Sequence, residues 1–324
     1  MSEQIHNRLN YSGSLEPVVD RLCRAYDVGQ STNFSVIEVG YEDCNVAIDT
    51  SKGKYVAKIF AKYRKPEDIT RYATIMEKVV EAGVNHPPLK TTDKGELVYS
   101  DPQANGISMV LMDFIEGKTY FELNSAPNDE ERRVIIEQAV LVNGIDHHPP
   151  YIFDSIAIPN IQIMFDRVRQ YIKPEDLGLV EQVMALYNAI PVADLPHCFV
   201  HGDFIKTNVL KGTDGKIYIL DFSVSNWYPR IQELAVIAAN LLHDSNNPVP
   251  LRQRTELIAD EYSKFIPLTQ AEREHLYPYA IAGVAMEFMG AHQEKYINGI
   301  DTGENEYWLN LGREGLKREL NLTI

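Results

Sequence analysis

Three oxygen-bearing side chains, Asp203, Asn208 and Asp221, surround two short apolar runs in the stretch 201-HGDFIKTNVLKGTDGKIYILDF-222. Asp203 precedes a loop, Asn208 opens the apolar NVL, and Asp221 closes IYIL at the carboxyl end of an expected strand. A turn at GTDGK folds the two runs into a hairpin, which brings Asn208 and Asp221 together and leaves Asp203 at the mouth of the connecting loop. An amide oxygen and a carboxylate are hard ligands suited to Mg²⁺, which keeps several waters and takes its remaining ligands from phosphates. A further carboxylate can orient a hydroxyl and accept its proton. Those are the parts that phosphoryl transfer requires, where catalysis is mostly positioning and charge neutralisation. The bland alternative is three solvated turn residues.

The elements around this stretch must position it. Residues 14–26 are predicted as a leading helix, with Ser14 as cap and Leu15, Val18, Val19 and Leu22 at helical spacing. Three β-rich runs, 33–40, 43–50 and 54–60, read as an antiparallel meander, and residues 67–82 as an amphipathic helix closed near Gly83. Strands over 96–100 and 106–115 complete a five-stranded sheet with one helix, and DFIEGKTY reads as a linker leaving it. Beyond it helices are predicted over 128–145, 158–172, 174–190, 230–243, 252–265, 270–297 and 304–319. Short strands near 198–200, 207–210 and 216–221 interrupt them. The expected class is α+β in two lobes: residues 1–115 as a small antiparallel-sheet lobe, and 116–324 as a larger, mainly helical one.

Composition limits the partners. The 324 residues carry 31 Lys+Arg against 46 Asp+Glu, a net charge of -15, and 44% are hydrophobic. That acid excess argues against a sequence-independent grip on nucleic acid or on an anionic membrane, both of which need a basic face. It leaves room for an anionic ligand held locally by a cation and a metal ion. The three cysteines, Cys23, Cys44 and Cys198, follow no metal-ligand spacing and fit a reducing compartment. With neither the apolar core of a signal peptide nor a membrane-length run, a cytoplasmic protein is expected.

The string H-G-D-x-x-x-x-N followed by I-x-I-L-D-F resembles the catalytic and metal-binding signature of the aminoglycoside phosphotransferase and choline-kinase-like superfamily, whose members have a protein-kinase-like fold. The resemblance implies Asp203 as catalytic base, Asn208 and Asp221 as Mg²⁺ ligands, and His201 as a brace for the loop. Lys58, on the third strand in YVAKIF, stands where kinases place a lysine that pairs the ATP phosphates. GYEDCNV (40–46) occupies the nucleotide-loop position, with Gly40 and Asn45 as contacts or simply as a hairpin turn. LMDFIEG is similar to the hinge strand, where backbone groups near Asp113 and Ile115 would meet adenine. Within the superfamily the pattern is most similar to homoserine-kinase-like members, through Gly40, Glu42 and Asn45 as G-x-E-x-x-N, the rhythm of residues 67–84, and the closing EYWLNLGREGL. The resemblance spans roughly residues 30–320, but only the central motif is specific.

Two positions depart from the superfamily pattern. Where many members carry an R-E pair on the helix to hold the strand lysine, Arg71 is followed here by Tyr72, with Glu67 or Asp68 one turn earlier as substitutes. Ser223, not glycine, follows Asp221-Phe222.

The implied function is ATP- and Mg²⁺-dependent phosphorylation of a hydroxyl on a small metabolite, an amino alcohol such as homoserine among the candidates. Transfer to an aminoglycoside or other sugar is an alternative. A catalytically inactive kinase fold that binds nucleotide as a regulator is an alternative of a different class. No Walker sequence occurs, and Gly202 in place of an arginine before Asp203, with no A-P-E segment, disfavours a protein kinase. His147-His148 reads as a loop feature, Glu233 as a loop brace, and Met286, Phe288 and Met289 as core. Trp227 and Tyr228 read either as pocket lining or as packing under the next helix.

Overall fold

The computed structural model describes residues 8–9, 11–37 and 43–321. The chain forms two compact units: residues 1–80, 85–117 and 212–218 in the first, and 81–84, 118–211 and 219–324 in the second.

The first unit is built on β1 (Ser31–Ile37), β2 (Cys44–Thr50), β3 (Gly53–Ile59), β4 (Val98–Asp101) and β5 (Ile107–Asp113). They make one sheet in the order β1-β2-β3-β5-β4, antiparallel throughout. Alternation along β2 buries Cys44, Val46 and Ile48 against α1 (Glu16–Ala25), whose buried face is Val18, Val19, Leu22 and Cys23. α1 begins two residues after Ser14, whose hydroxyl accepts from the Glu16 N–H at 3.3 Å; Leu15, not Ser14, is the cap residue. α2 (Pro66–Glu81) has proline at its first position, acids in its first turn, and buries Tyr72, Ile75, Met76 and Val79.

The segment expected as a linker holds structure: β6 (Gly117–Thr119) and the one-turn α3 (Tyr120–Leu123), opened by a Thr119–Glu122 capping box. α4 (Asp129–Asn143) starts on a second capping box, Asn128 with Glu131. The run 158–172 is not one helix. A 3₁₀ turn at Ile158–Asn160 leads into α5 (Ile161–Val168), and a second 3₁₀ turn, Arg169–Tyr171, follows before α6 (Pro174–Asn188).

Short strands then frame the candidate site: β7 (His197–Val200), β8 (Val209–Gly212), β9 (Ile217–Ile219) and β10 (Asn226–Pro229). β8 and β9 form the expected hairpin within a sheet of order β6-β8-β9. β10, unforeseen in the sequence, pairs antiparallel with β7.

α7 (Ile231–Val236) runs directly into a π-helical turn, Ile237–Leu241. The buried guanidinium of Arg254, on α8 (Leu251–Tyr262), donates from Nη1 to the Ala238 and Ala239 carbonyls at 2.5 and 3.1 Å, satisfying acceptors where the ladder changes pitch.

α9 (Gln270–Tyr296) is buried over most of its circumference, Met286, Phe288 and Met289 included, as befits the central helix of a bundle. α10 (Gly303–Asn321) crosses it closely: a Cβ on Gly312 would fall 2.7 Å from the Phe288 backbone nitrogen.

Candidate active site

His201 lies fully buried at the end of β7, and both ring nitrogens are occupied. Nδ1 accepts from the Asp203 N–H at 3.1 Å, which leaves Nε2 as the protonated nitrogen, donating to the Leu220 carbonyl at 2.8 Å. Burial pushes the imidazole down to about 4, so the ring is neutral and keeps this tautomer. Phe222 and Phe204 meet it edge-on, with centroids 4.4 and 5.1 Å away. A single neutral ring thus ties the start of the Asp203 loop to the residue before Asp221, a bracing role.

The loop is held from below as well. The backbone N–H groups of His201 and Gly202 both donate to Glu233 Oε1 on α7, the second at 3.2 Å. Gly202 has φ of 87°, a left-handed conformation that side chains rarely adopt. Glu233 is fully buried, and burial raises its carboxyl to about 8; the two N–H donors oppose that shift. It braces the loop and is sealed from solvent.

Asn208 closes the loop. Its Nδ2 donates to the Asp203 carbonyl at 3.1 Å and to Asp203 Oδ2 at 2.7 Å. Its backbone carbonyl accepts from the Leu220 N–H at 2.8 Å, which sets Asn208 beside the residue that precedes Asp221. Asp221 stands at φ 61°, uncommon for a residue with a side chain, and its Oδ1 accepts from the Ser223 N–H at 3.2 Å. Asp203, Asn208 and Asp221 are all half-buried. With Nδ2 spent on Asp203, Asn208 offers its amide oxygen, and Asp221 offers a carboxylate. Two hard oxygen donors on adjoining strand ends fit Mg²⁺, whose remaining ligands come from water and phosphate.

In the first unit Lys58 is buried and ion-paired with Asp43 at 3.1 Å. Asp43 Oδ1 also accepts the Ala61 N–H at 2.9 Å and faces Arg64 Nε at 3.5 Å. The partner expected on the helix is therefore supplied by the residue before β2. Asp68 instead caps its own helix by accepting the Lys65 N–H at 2.9 Å, and Glu67 is exposed. Tyr72, in the place of the helix acid, presents its ring 5.9 Å from the Lys58 ammonium. The overlooked signal was an acid directly before a strand that pairs with the lysine strand, Asn45 opposite Lys58.

Gly40 and Glu42 lie outside the described residues. At the end of β5 the Asp113 N–H donates to the Pro88 carbonyl at 2.9 Å, and its carboxylate pairs with Lys90 at 2.7 Å. Ile115 has no backbone hydrogen bond among the described residues. His148 stacks on Trp227 with centroids 4.8 Å apart, and Tyr228 packs with Ala157 and Val200, so these residues do structural work.

Residues 33–264 match the phosphotransferase enzyme family typified by the aminoglycoside phosphotransferases. The chain belongs to that family. It is a small-molecule kinase of the aminoglycoside phosphotransferase and choline kinase superfamily, a phosphotransferase acting on hydroxyl groups. It is 21% identical over 282 residues to a homoserine kinase of Agrobacterium fabrum, spanning 86% of this chain and 85% of that one. The fold matches the choline kinase LicA from Streptococcus pneumoniae with a TM-score of 0.66 at 14% identity, over 94% of this chain and 99% of the other. It also matches an amicoumacin kinase solved in complex with AMP-PNP, Ca²⁺ and Ami, with a TM-score of 0.69 at 13% identity over 95% and 94% of the two chains. The α+β kinase-like fold expected from the central motif is thus borne out. Among the described residues no helix is long and apolar enough to cross a membrane.

Proposed function

We propose that the protein transfers the γ-phosphate of ATP to the hydroxyl of a small amino alcohol, of which homoserine is an example. The observation that carries this reading is the single hydrogen-bonded unit made by Asp203 and Asn208, with Asp221 joined to it through Leu220. Asp203 would orient the acceptor hydroxyl and take its proton as the oxygen attacks phosphorus in line. The Asn208 side chain, fixed by its two bonds to Asp203, would keep the base aligned while its amide oxygen and the Asp221 carboxylate hold Mg²⁺. The bound ion would neutralise phosphate oxygens. Lys58, oriented by Asp43, would pair with phosphate, and the backbone groups of Ile115, without a backbone hydrogen bond among the described residues, would suit an adenine edge.

The homoserine kinases among the relatives support an amino alcohol, and the nucleotide and divalent metal bound by the amicoumacin kinase support ATP with a metal ion. The three free cysteines suit a cytoplasmic setting; burial raises the Cys23 and Cys44 thiols to about 11, away from thiolate chemistry.

The test is acceptor-dependent ADP release with Mg²⁺-ATP across a panel of small alcohols. Asp203→Asn is expected to lower kcat by about 100-fold or more, the usual contribution of a general base. Unchanged acceptor-dependent ADP release in that variant would sink the mechanism.

A further inference from the structure

Lys206 lies three residues beyond Asp203, in the same loop, and is 5% exposed. Its backbone is fully engaged: the N–H donates to Asn240 Oδ1 at 3.1 Å, and the carbonyl accepts from the Phe121 N–H at 3.1 Å. Among the described residues its ammonium makes no hydrogen bond and no ion pair. An ammonium taken from water without a partner costs several kcal/mol, and burial accordingly lowers the Lys206 pKa. No step of the proposed transfer uses this charge.

The same asparagine leads to a carboxylate. Asn240 Nδ2 donates to Glu287 Oε1, on α9, at 2.5 Å. Glu287 is half-buried, and its Oε2 makes no hydrogen bond among the described residues. Lys206 and Glu287 form no ion pair among the described residues; burial raises the Glu287 carboxyl to about 7, and the Asn240 bond and the nearby Arg254 and Lys206 charges oppose that shift. The Glu287 charge is also felt at the Tyr307 phenol, and Tyr307 meets Phe121 edge-on with centroids 5.3 Å apart. An ammonium, a carboxylate and an aromatic wall are therefore all fastened to the loop that carries Asp203.

Other charges nearby are already occupied or oppositely placed. Arg254 is committed to the Ala238 and Ala239 carbonyls, and Arg318 Nε to Glu319. Asp244 lies close enough to favour the charged form of Lys206 but forms no ion pair with it among the described residues, and burial keeps His243 neutral near pH 7.

We propose that Lys206 and Glu287 are the specificity-determining pair of the acceptor site. Lys206 takes a carboxylate, and Glu287, near Tyr307, takes an ammonium. The acceptor is then a zwitterionic amino acid whose side chain bears the hydroxyl. The inference rests on Asp203 acting at that hydroxyl. An acceptor with an amine and no carboxylate would leave Lys206 buried and unpaired, which is what separates this class from simple amino alcohols and quaternary-ammonium alcohols.

The experiment compares homoserine with 3-aminopropan-1-ol, which lacks the carboxylate, and 4-hydroxybutyrate, which lacks the ammonium. kcat/KM is measured with Mg²⁺-ATP, and acceptor binding is measured separately by calorimetry. Homoserine is expected to exceed each analogue by about 100-fold in kcat/KM, the scale of a lost buried charge contact. Lys206→Met should lower the homoserine to 3-aminopropan-1-ol ratio by at least about 10-fold, and Glu287→Gln should do the same to the homoserine to 4-hydroxybutyrate ratio. Thermal melting and binding of an ATP analogue establish that each variant is folded, and Lys206→Arg, which keeps the charge, should retain part of the preference.

An equal loss with all three acceptors in Lys206→Met would make Lys206 a phosphate contact and overturn the assignment. A wild-type preference for 3-aminopropan-1-ol or choline would overturn it while leaving the phosphotransferase reading intact. Homoserine binding that depends on Lys206, without turnover, would keep the pair and remove the transfer reading. Absence of both binding and turnover with all three overturns the pair.

Discussion

Lys58 and Asp43 hold opposite charges 3.1 Å apart with side-chain exposures of 4% and 2%. Asp43 sits directly before β2, the strand that pairs with the lysine strand β3. The lysine thus meets an acid at the start of the neighbouring strand as well as the Tyr72 ring of α2.

Removing one member of so buried a pair takes a charge partner from the other. Asp43→Ala is expected to lose about 3–5 kcal/mol of stability in urea unfolding, because Lys58 keeps its charge with the Asp43 carboxylate gone. The double variant Lys58→Met with Asp43→Leu should recover most of that stability while the KM for ATP stays raised. Full recovery of ATP use would show that Lys58 has no role at phosphate.

The His201 ring sets an acid-side dependence. Its folded value, about 4, lies below the ordinary 6.5, so the unfolded chain binds more protons between those values. The associated stability is complete above about pH 6.5 and is lost as pH falls toward 4, by up to about 3 kcal/mol at about 1.4 kcal/mol per pH unit. His243, also lowered to about 4 by burial, contributes over the same window. In urea titrations His201→Asn should flatten this acid limb by its own share, and an unchanged limb would assign the whole effect to His243.

Glu233 works in the opposite direction. Its folded value, about 8, lies above the ordinary 4.5, so the native state binds the extra proton and stability declines as pH rises from about 4.5 to 8. Glu233→Gln retains an oxygen for the His201 and Gly202 N–H groups and cannot ionise. Its urea midpoint at pH 8, relative to pH 5, should therefore exceed that of the wild type. Glu233→Ala should instead cost about 1–3 kcal/mol for each orphaned N–H.

Gly312 allows α10 to approach α9. A Cβ there would meet the Phe288 backbone nitrogen and Cα at 2.7 and 2.8 Å, and backbone cannot rotate aside. Gly312→Ala is expected to destabilise the protein by about 1–3 kcal/mol and to lower its melting temperature. An unchanged melting temperature would mean that the two helices separate without cost.

What could be read from the residues follows the range of the interactions involved. The antiparallel order of β1 to β3 and the run of α2 follow from local alternation and helical spacing, and both stand in the structure. The hairpin carrying Asn208 and Asp221 was legible because its turn, GTDGK, is local. β10 was not, since its partner β7 lies some thirty residues earlier and Asn226–Pro229 has too few residues to show a period. The break in 158–172 also escaped, because its apolar spacing is helical through both 3₁₀ turns. Asp43 and Asn240 could not be identified from local pattern at all. Each matters for what it meets across the fold, Lys58 in one case and Lys206 with Glu287 in the other.

The π turn at Ile237–Leu241 has a genetic meaning. A helix wound this way accommodates one residue more than its straight course needs, and each residue turns the helix by about 100°. Deleting a single codon for Ala238 or Ala239 would restore regular winding and rotate Asn240 away from either Lys206 or Glu287, yet leave every charged residue of the site in the gene. The coupling between the loop and α9 is therefore inherited as the length of a helix, and a comparison of charged residues alone would not detect its loss.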